Sequence, residues 1–292
     1  MTSRTLDQTT DAVHRIGLSL SPLEIVDRAF ARAHAPRADM DTIYDRLLRS
    51  NADTIVAIGG GSVSDVTKAV LAKVYEARPG DLPFHAAIAT TLSGSEFAHY
   101  FGVTENLGTR THKQSFVQAD VVARVVVLDA EMTRHTPQAL WLSSGVKALD
   151  HAIEGLLASD GTPILETQLQ RGIRRLAQSL PLSRDPDDMQ AREECLIGAW
   201  ECYFAPASMI LGLSHRIGHI LGGSYRVPHG YTSGITLPTL TRHAIPFKPD
   251  ALRLAARALT RRSISPRRAQ SPPSASTSYC RTWSQASNCR GD

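Results

Sequence analysis

No run of about 18 apolar residues occurs anywhere in the 292-residue chain, so no membrane span is expected. Residues Met1 to Ile16 are polar and contain no apolar signal core, which argues against secretion and for a cytoplasmic location. Cysteine is scarce. Cys195 and Cys202 fall in a helical pattern and Cys280 and Cys289 near the C-terminus, and neither spacing makes a disulfide frame or a zinc knuckle. Four free thiols in a reducing compartment are expected. Neither G-x-G-x-x-G nor Gly-Lys-Ser/Thr is present, so the usual Rossmann fingerprint and the P-loop are both missing. Net positive charge is also small outside the C-terminal stretch. The net charge is +4, and four arginines against one aspartate in residues 263–292 account for +3 of it. Nucleic acid is therefore not an expected partner.

The first half of the chain alternates helix-like and strand-like segments. Pro22 to Ala33 has apolar residues at helical spacing, with Ser21 as N-cap and Pro22 at the first helical position. Met40 to Asn51 is a second helix candidate, with Ile43, Leu47 and Leu48 on one face. Thr54 to Ile58, Phe84 to Ala89 and Ala123 to Leu128 read as short buried strands, and Ser62 to Ala77 as the helix after the first. Such alternation predicts a mostly parallel sheet covered by helices. After Asp129 the signal is helical almost throughout, with candidates at Pro163 to Leu180, Gln190 to Cys202 and Pro249 to Thr260. Residues 263–292 hold eight serines, four arginines and three prolines. That composition cannot bury enough apolar surface to offset ordering entropy. The reading is thus an α/β dinucleotide-binding domain at 1–132, an all-helical catalytic domain at 133–262, and a disordered tail at 263–292.

Four elements carry candidate chemistry. Gly59-Gly60-Gly61-Ser62 lies between a strand and a helix. Glycines permit φ > 0 and close backbone approach to a ligand. The following helix N-terminus, with Ser62 as N-cap and Asp65 in the first turn, suits a pyrophosphate. A tight turn with no ligand is the alternative. Thr90-Thr91-Leu92-Ser93-Gly94-Ser95-Glu96 follows the next strand, where ligand crevices lie in open α/β sheets. Its hydroxyls could hold phosphate or ribose oxygens, or merely cap a helix. Ser144 to Gly155 reads as a helix on which Lys147 and His151, four apart, share a face. His215 and His219 are also four apart, and Pro228 ends any helix before His229. Three imidazoles can thereby reach one cavity, for metal binding or proton transfer; two half-buried helix histidines and one turn histidine is the plainer alternative.

Taken in this order, Gly59-Gly60-Gly61-Ser62-x-x-Asp65-x-x-Lys68, Thr90-Thr91 through Glu96, Ala148-Leu149-x-His151-Ala152-Ile153-Glu154, His215-x-x-x-His219 and Pro228-His229-Gly230 resemble the iron-containing alcohol dehydrogenase superfamily. The likeness is strongest to its maleylacetate reductase branch, through Thr91 to Glu96 and His219 to Gly223. The resemblance implies a dehydroquinate synthase-like architecture: a Rossmann-like nucleotide-binding domain followed by an all-helical domain. It implies hydride transfer with NAD or NADP to a keto-acid or other carbonyl substrate, and a homodimer. It places the cofactor at Gly59, Gly60, Gly61, Ser62, Asp65, Thr90, Thr91 and Ser95. His151, His215 and His229 match metal-ligand positions for Fe or Zn, and His219 matches a proton donor near the reacting carbons.

The departures are informative. The family's fourth metal position, an aspartate, is Lys147 here. At ~4 Å and an effective dielectric of ~20 a unit charge pair is worth roughly 4 kcal/mol, so exchanging −1 for +1 beside a dication disfavours a divalent metal. Lys147, with Arg216 beside His215, makes the expected cavity electropositive, suited to an oxyanion or a substrate carboxylate. His219 or His215 then supplies the proton. The family also opens with a sheet strand that nothing before Thr5 is expected to supply. The shift to Arg, Ser, Pro and Ala after Thr260, where the family continues with further helices, reads as a change of reading frame. A metal-dependent alcohol dehydrogenase, a carbon–oxygen lyase resembling dehydroquinate synthase, and an inactive truncated remnant are the competing readings.

Overall fold

The computed structural model describes residues 1–107, 110–158, 161–208, 212–225, 227, 229–260 and 280–282. In chain order these form α1 (Arg4–Thr9), α2 (Ala12–Ser19), α3 (Arg37–Ser50), β1 (Thr54–Gly59), α4 (Gly61–Ala77), β2 (Phe84–Ala89), β3 (Tyr100–Leu107), β4 (Arg110–Val117) and β5 (Val125–Val127). The helices α5 (Gln138–Leu157), α6 (Pro163–Leu182), α7 (Met189–Ser208), α8 (Leu213–Tyr225), α9 (His229–Ala244) and α10 (Pro249–Thr260) follow, and then β6 (Cys280–Thr282).

The sheet has the order β1-β2-β5-β6. β1 and β2 pair in parallel from Thr54↔Phe84 to Gly59↔Ala89, and β2 pairs in parallel with β5. Parallel neighbours need a crossover, and α4 provides the one between β1 and β2. Its Val63, Val66, Val70, Leu71 and Val74 are buried. Val63, Val66, Val70 and Leu71 join a core shared with Met40 and Ile43 of α3 and with Phe101 and Val103 of β3. A second core joins α5, α6, α7 and α10 around Trp141, Leu169, Ile173 and Leu176, and takes in Ala89 and Leu92 at the end of β2. The molecule is an α/β layer followed by a helical one. Trp141 is fully buried and donates from Nε1 to Ser183 Oγ at 2.8 Å.

Several expectations are corrected. Pro22 to Ala33 is not a helix; α2 ends before it at Ser19, and residues 20–36 run without one. Thr2 N–H donates to Ala29 C=O at 3.0 Å and Ala31 N–H to Thr2 C=O at 2.8 Å, which holds that stretch extended. Leu23, Ile25 and Val26 are exposed, so their helical spacing has no core to face. The edge of β1 is also occupied. The Met1 ammonium donates to Val56 C=O at 2.9 Å, and Ile58 N–H donates to Met1 C=O at 2.8 Å. Met1 and Thr2 thus lie alongside β1, where no partner from before Thr5 was expected.

The hairpin β3–β4 was not foreseen. It pairs from Tyr100↔Val117 to Leu107↔Arg110, and its polar outer residues mask the alternation that marks a strand. Across the pair, buried Phe101 stacks on the exposed Phe116 at 5.5 Å. Within the stretch expected to be disordered, Cys280–Thr282 pairs antiparallel with β5; residues 261–279 and 283–292 lie outside the described residues. Among the described residues no single helix is long and apolar enough to cross a membrane. Cys195 and Cys202 are buried free thiols.

Candidate active site

The glycine loop leads straight from β1 into α4. The N-cap of α4 is Gly60, not Ser62, and it makes no side-chain capping bond, so the first N–H groups of a 17-residue helix are left without a side-chain cap. Ser62 Oγ instead accepts from His34 N–H at 3.1 Å. Gly59 to Gly61 do not adopt positive φ. Their role is steric. A Cβ at Gly60 would lie 2.7 Å from Thr91 Cγ2, and one at Gly59 would lie 2.6 Å from Val63 Cγ2. Thr90 N–H donates to Gly59 C=O at 3.1 Å and Thr136 Oγ1 to Thr90 C=O at 2.7 Å, so the loops after β1 and β2 are pinned side by side.

Asp65 lies beyond the first turn of α4, so the helix dipole does not account for it. Its carboxylate accepts from Ser95 Oγ at 2.9 Å and Lys113 Nζ at 3.3 Å, with Lys68 Nζ 3.8 Å away. Burial would raise its pKa, but Lys113, Lys68 and Ser95 together hold it below the ordinary value. Lys68 is fully buried, and its Nζ donates to the carbonyls of Ser95 (2.8 Å) and Tyr100 (2.7 Å) and to Ser95 Oγ (3.2 Å). Burial brings its pKa down to about 8. Asp65 and Ser95, expected as cofactor contacts, are thus engaged in bracing the loop. Lys68 appeared in the motif without a role, and Lys113 sits on the hairpin that the sequence concealed.

Beyond Ser95 the loop faces the helical layer. Gly94 has φ +71°, and a Cβ there would lie 2.3 Å from the Tyr203 ring. Tyr203 also meets the His151 ring edge-on at 6.0 Å. Leu92 N–H donates to Ser144 Oγ of α5 at 3.0 Å. Glu96 is buried, and that burial raises its pKa to about 7.

The helix α5 turns Lys147, Asp150, His151 and Glu154 inward, and all four are buried. Lys147 Nζ lies 3.1 Å from Asp150 Oδ2 and 3.0 Å from His215 Nδ1. Ser233 of α9 donates to the same Asp150 oxygen at 2.6 Å, while Asp150 Oδ1 has no partner among the described residues. Glu154 caps α8: Ser214 N–H donates to Oε1 at 2.7 Å and His215 N–H to Oε2 at 3.1 Å. Burial, with Asp150 nearby, raises the Glu154 pKa against those two bonds. The His151 and His215 rings are 5.4 Å apart.

Lys147, His151 and His215 are therefore brought together; the i,i+4 spacing put Lys147 and His151 on one face, and the fold adds His215 from α8. His219 lies on α8 and His229 opens α9, but both side chains, and Pro228, lie outside the described residues. The expected electropositive cavity is corrected. Arg216 is exposed, and Asp150 matches the charge of Lys147. Asp150 carried no signal in sequence beyond its place three residues after Lys147. Among the described residues, no three His, Cys, Asp or Glu side chains form a metal-holding group.

Comparison with known proteins identifies the family. Residues 2–130 match the family described as iron-containing alcohol dehydrogenase, and residues 141–280 the C-terminal part of the Fe-containing alcohol dehydrogenase family. The maleylacetate reductase of Sphingobium indicum is 36% identical over 227 residues, which is 77% of this chain and 61% of the relative. That of Burkholderia cepacia is 37% identical over 212 residues, covering 72% of this chain and 57% of the relative. The chain thus spans about three-fifths of the length of these curated relatives. Among solved structures, maleylacetate reductase from Rhizobium sp. strain MTP-10005 superposes with TM-score 0.77 at 30% identity, covering 89% of this chain and 70% of that one. A 1,3-propanediol oxidoreductase reaches TM-score 0.81 at 24% identity and speaks to the fold alone.

Proposed function

Because the chain belongs to the iron-containing alcohol dehydrogenase family, we propose that it is an NAD(P)H-dependent reductase of a keto acid or related carbonyl compound, of maleylacetate reductase type. The observation that carries this reading is the buried Lys147 ammonium, 3.0 Å from His215. Asp150 balances its charge, and what the ammonium offers at that spot is N–H donors, which suit an oxygen ligand and not a cation.

The residues present fit a dinucleotide. The open N-terminus of α4 and the N–H groups of Gly61 and Ser62 suit its phosphates, with Thr90 and Thr91 on the neighbouring loop. When bound, NAD(P)H supplies the hydride. Lys147 has three N–H donors, two of them engaged by Asp150 and His215. The third is assigned to the substrate oxygen or a substrate carboxylate. His215 or His219 supplies the proton. A divalent cation does not fit the described donor set, since the ammonium stands against one of its two imidazoles, and no step is routed through a metal.

The test is the purified chain with NADH or NADPH, followed by loss of the reduced-cofactor absorbance, against maleylacetate, other keto acids and simple aldehydes. Turnover confined to keto acids is expected. Activity only as alcohol oxidation, and only with added Fe²⁺, would overturn the reading.

A further inference from the structure

We propose that Lys147 locks His215 in the tautomer that carries its proton on Nε2, with Asp150 and Ser233 as the residues that hold the lysine in place. The argument is one of donors and acceptors. A lysine ammonium has three donors and no acceptor. Its Nζ is 3.0 Å from His215 Nδ1, so Nδ1 must accept and the ring proton resides on Nε2. The ammonium is held in place by Asp150 Oδ2 at 3.1 Å, and that oxygen is itself fixed by Ser233 Oγ at 2.6 Å. Asp150 is fully buried and the Lys147 side chain is 10% exposed, so water competes little for these bonds. The His215 backbone is fixed separately, by Glu154 on its N–H.

The consequence is chemical selectivity. A histidine binds a metal through a nitrogen lone pair. At His215 the Nδ1 lone pair is taken by the ammonium, and the lock leaves Nε2 as an N–H. This imidazole is therefore a donor to an oxygen ligand, a carbonyl or carboxylate oxygen, and not a cation ligand. Lys147 and Asp150 act through His215 and are positioning residues in this respect. The lock follows from the contacts alone, and its use in carbonyl reduction rests on the function proposed above.

The full chain labelled with ¹⁵N-histidine tests this by long-range ¹H–¹⁵N correlation, with the His215 signal assigned by its loss in His215→Ala. The parent should show two widely separated ring-nitrogen signals, Nδ1 unprotonated and Nε2 protonated. In Lys147→Met they should draw together as both tautomers become populated. Ser233→Ala, a milder change, should move them in the same direction by less. Zn²⁺ calorimetry should give no stoichiometric binding for the parent. Lys147→Asp should gain at least tenfold in affinity, and His215→Ala in that background should lose the gain. A protonated Nδ1 in the parent, one Zn²⁺ bound per parent chain, or signals unmoved in both Lys147→Met and Ser233→Ala would each overturn the lock. Absent reductase activity beside an intact tautomer pattern would count against the proposed function, with the lock left standing.

Discussion

The ring of Tyr203 lies where the side chain of residue 94 would otherwise begin: a Cβ on Gly94 would be 2.3 Å from Tyr203 Cδ2. Gly94 belongs to the loop after β2, and Tyr203 to α7 of the helical layer. This contact sets how closely the two layers approach, and the His151 ring packs on the same tyrosine.

Gly94→Ala is therefore expected to destabilise the fold. It imposes φ +71° on a residue with a Cβ, which costs about 1–3 kcal/mol, and the tyrosine must also shift. Urea denaturation of parent and variant measures the loss. A midpoint unchanged by the substitution would show that the contact is looser than described.

Much of this arrangement was legible in the sequence, and the failures have identifiable causes. β2 and α10 were read to the residue, because each is a clean apolar pattern bounded by Pro or a polar turn. Lys147 and His215 were readable as candidates because i,i+4 spacing reports a shared helix face. Their mutual contact was not, since it joins α5 to α8 across 68 residues. Ser233 was hidden for the same reason, since its bond to Asp150 joins α9 to α5 across 83 residues. Ser62 was misread as a cap because its hydroxyl is claimed by His34, a long-range partner that outcompetes the local rule. The Lys113–Asp65 pair was out of reach because the hairpin that delivers Lys113 is polar on its outer face.

Arg192 fixes α7 to the connection between the layers. It is 1% exposed, its Nη1 donates to Thr133 C=O at 2.7 Å, and its guanidinium lies 4.7 Å from the centre of the Trp141 ring. Arg192→Lys keeps the charge but loses the planar stack and the fork. Arg192→Leu removes the charged donor from Thr133 C=O, which keeps only the Thr136 N–H at 2.9 Å, and from Thr133 Oγ1. A loss of about 1–3 kcal/mol is expected for the leucine variant, and a smaller one for lysine. Equal stability of parent and leucine variant in urea would remove Arg192 from this role.

Acid sensitivity should trace in part to His85. Its ring is buried, Nδ1 is 3.0 Å from Val121 C=O, and Nε2 has no partner among the described residues. Burial lowers its pKa from 6.5 to about 4, against the bond to Val121. The fold thus favours the neutral ring, and the unfolded chain takes up a proton first as pH falls. This contribution is complete above pH ~6.5 and is lost as pH falls towards ~4, a change of about 3 kcal/mol. His85→Asn can still donate to Val121 and does not titrate. Its stability should fall less than the parent's between pH 7 and 4.5 in urea titrations at each pH. Parallel pH profiles for the two proteins would assign the acid sensitivity elsewhere.

The nucleotide site is tested most directly at Gly60. Its backbone is extended, with φ −96° and ψ −164°, so any residue could adopt it, and the reason for glycine is space. A side chain there meets Thr91 at 2.7 Å and stands at the mouth of α4, where the phosphates are placed. Gly60→Val is expected to weaken NADH binding by about tenfold or more, which is about 1.4 kcal/mol for each tenfold. Fluorescence titration reads it. Thr91→Ser in the same chain removes the methyl group in the way. Restoring stability by that second change without restoring NADH affinity would place the phosphates against the Gly60 backbone. A folded Gly60→Val protein with the parent's NADH affinity would remove the cofactor from this loop.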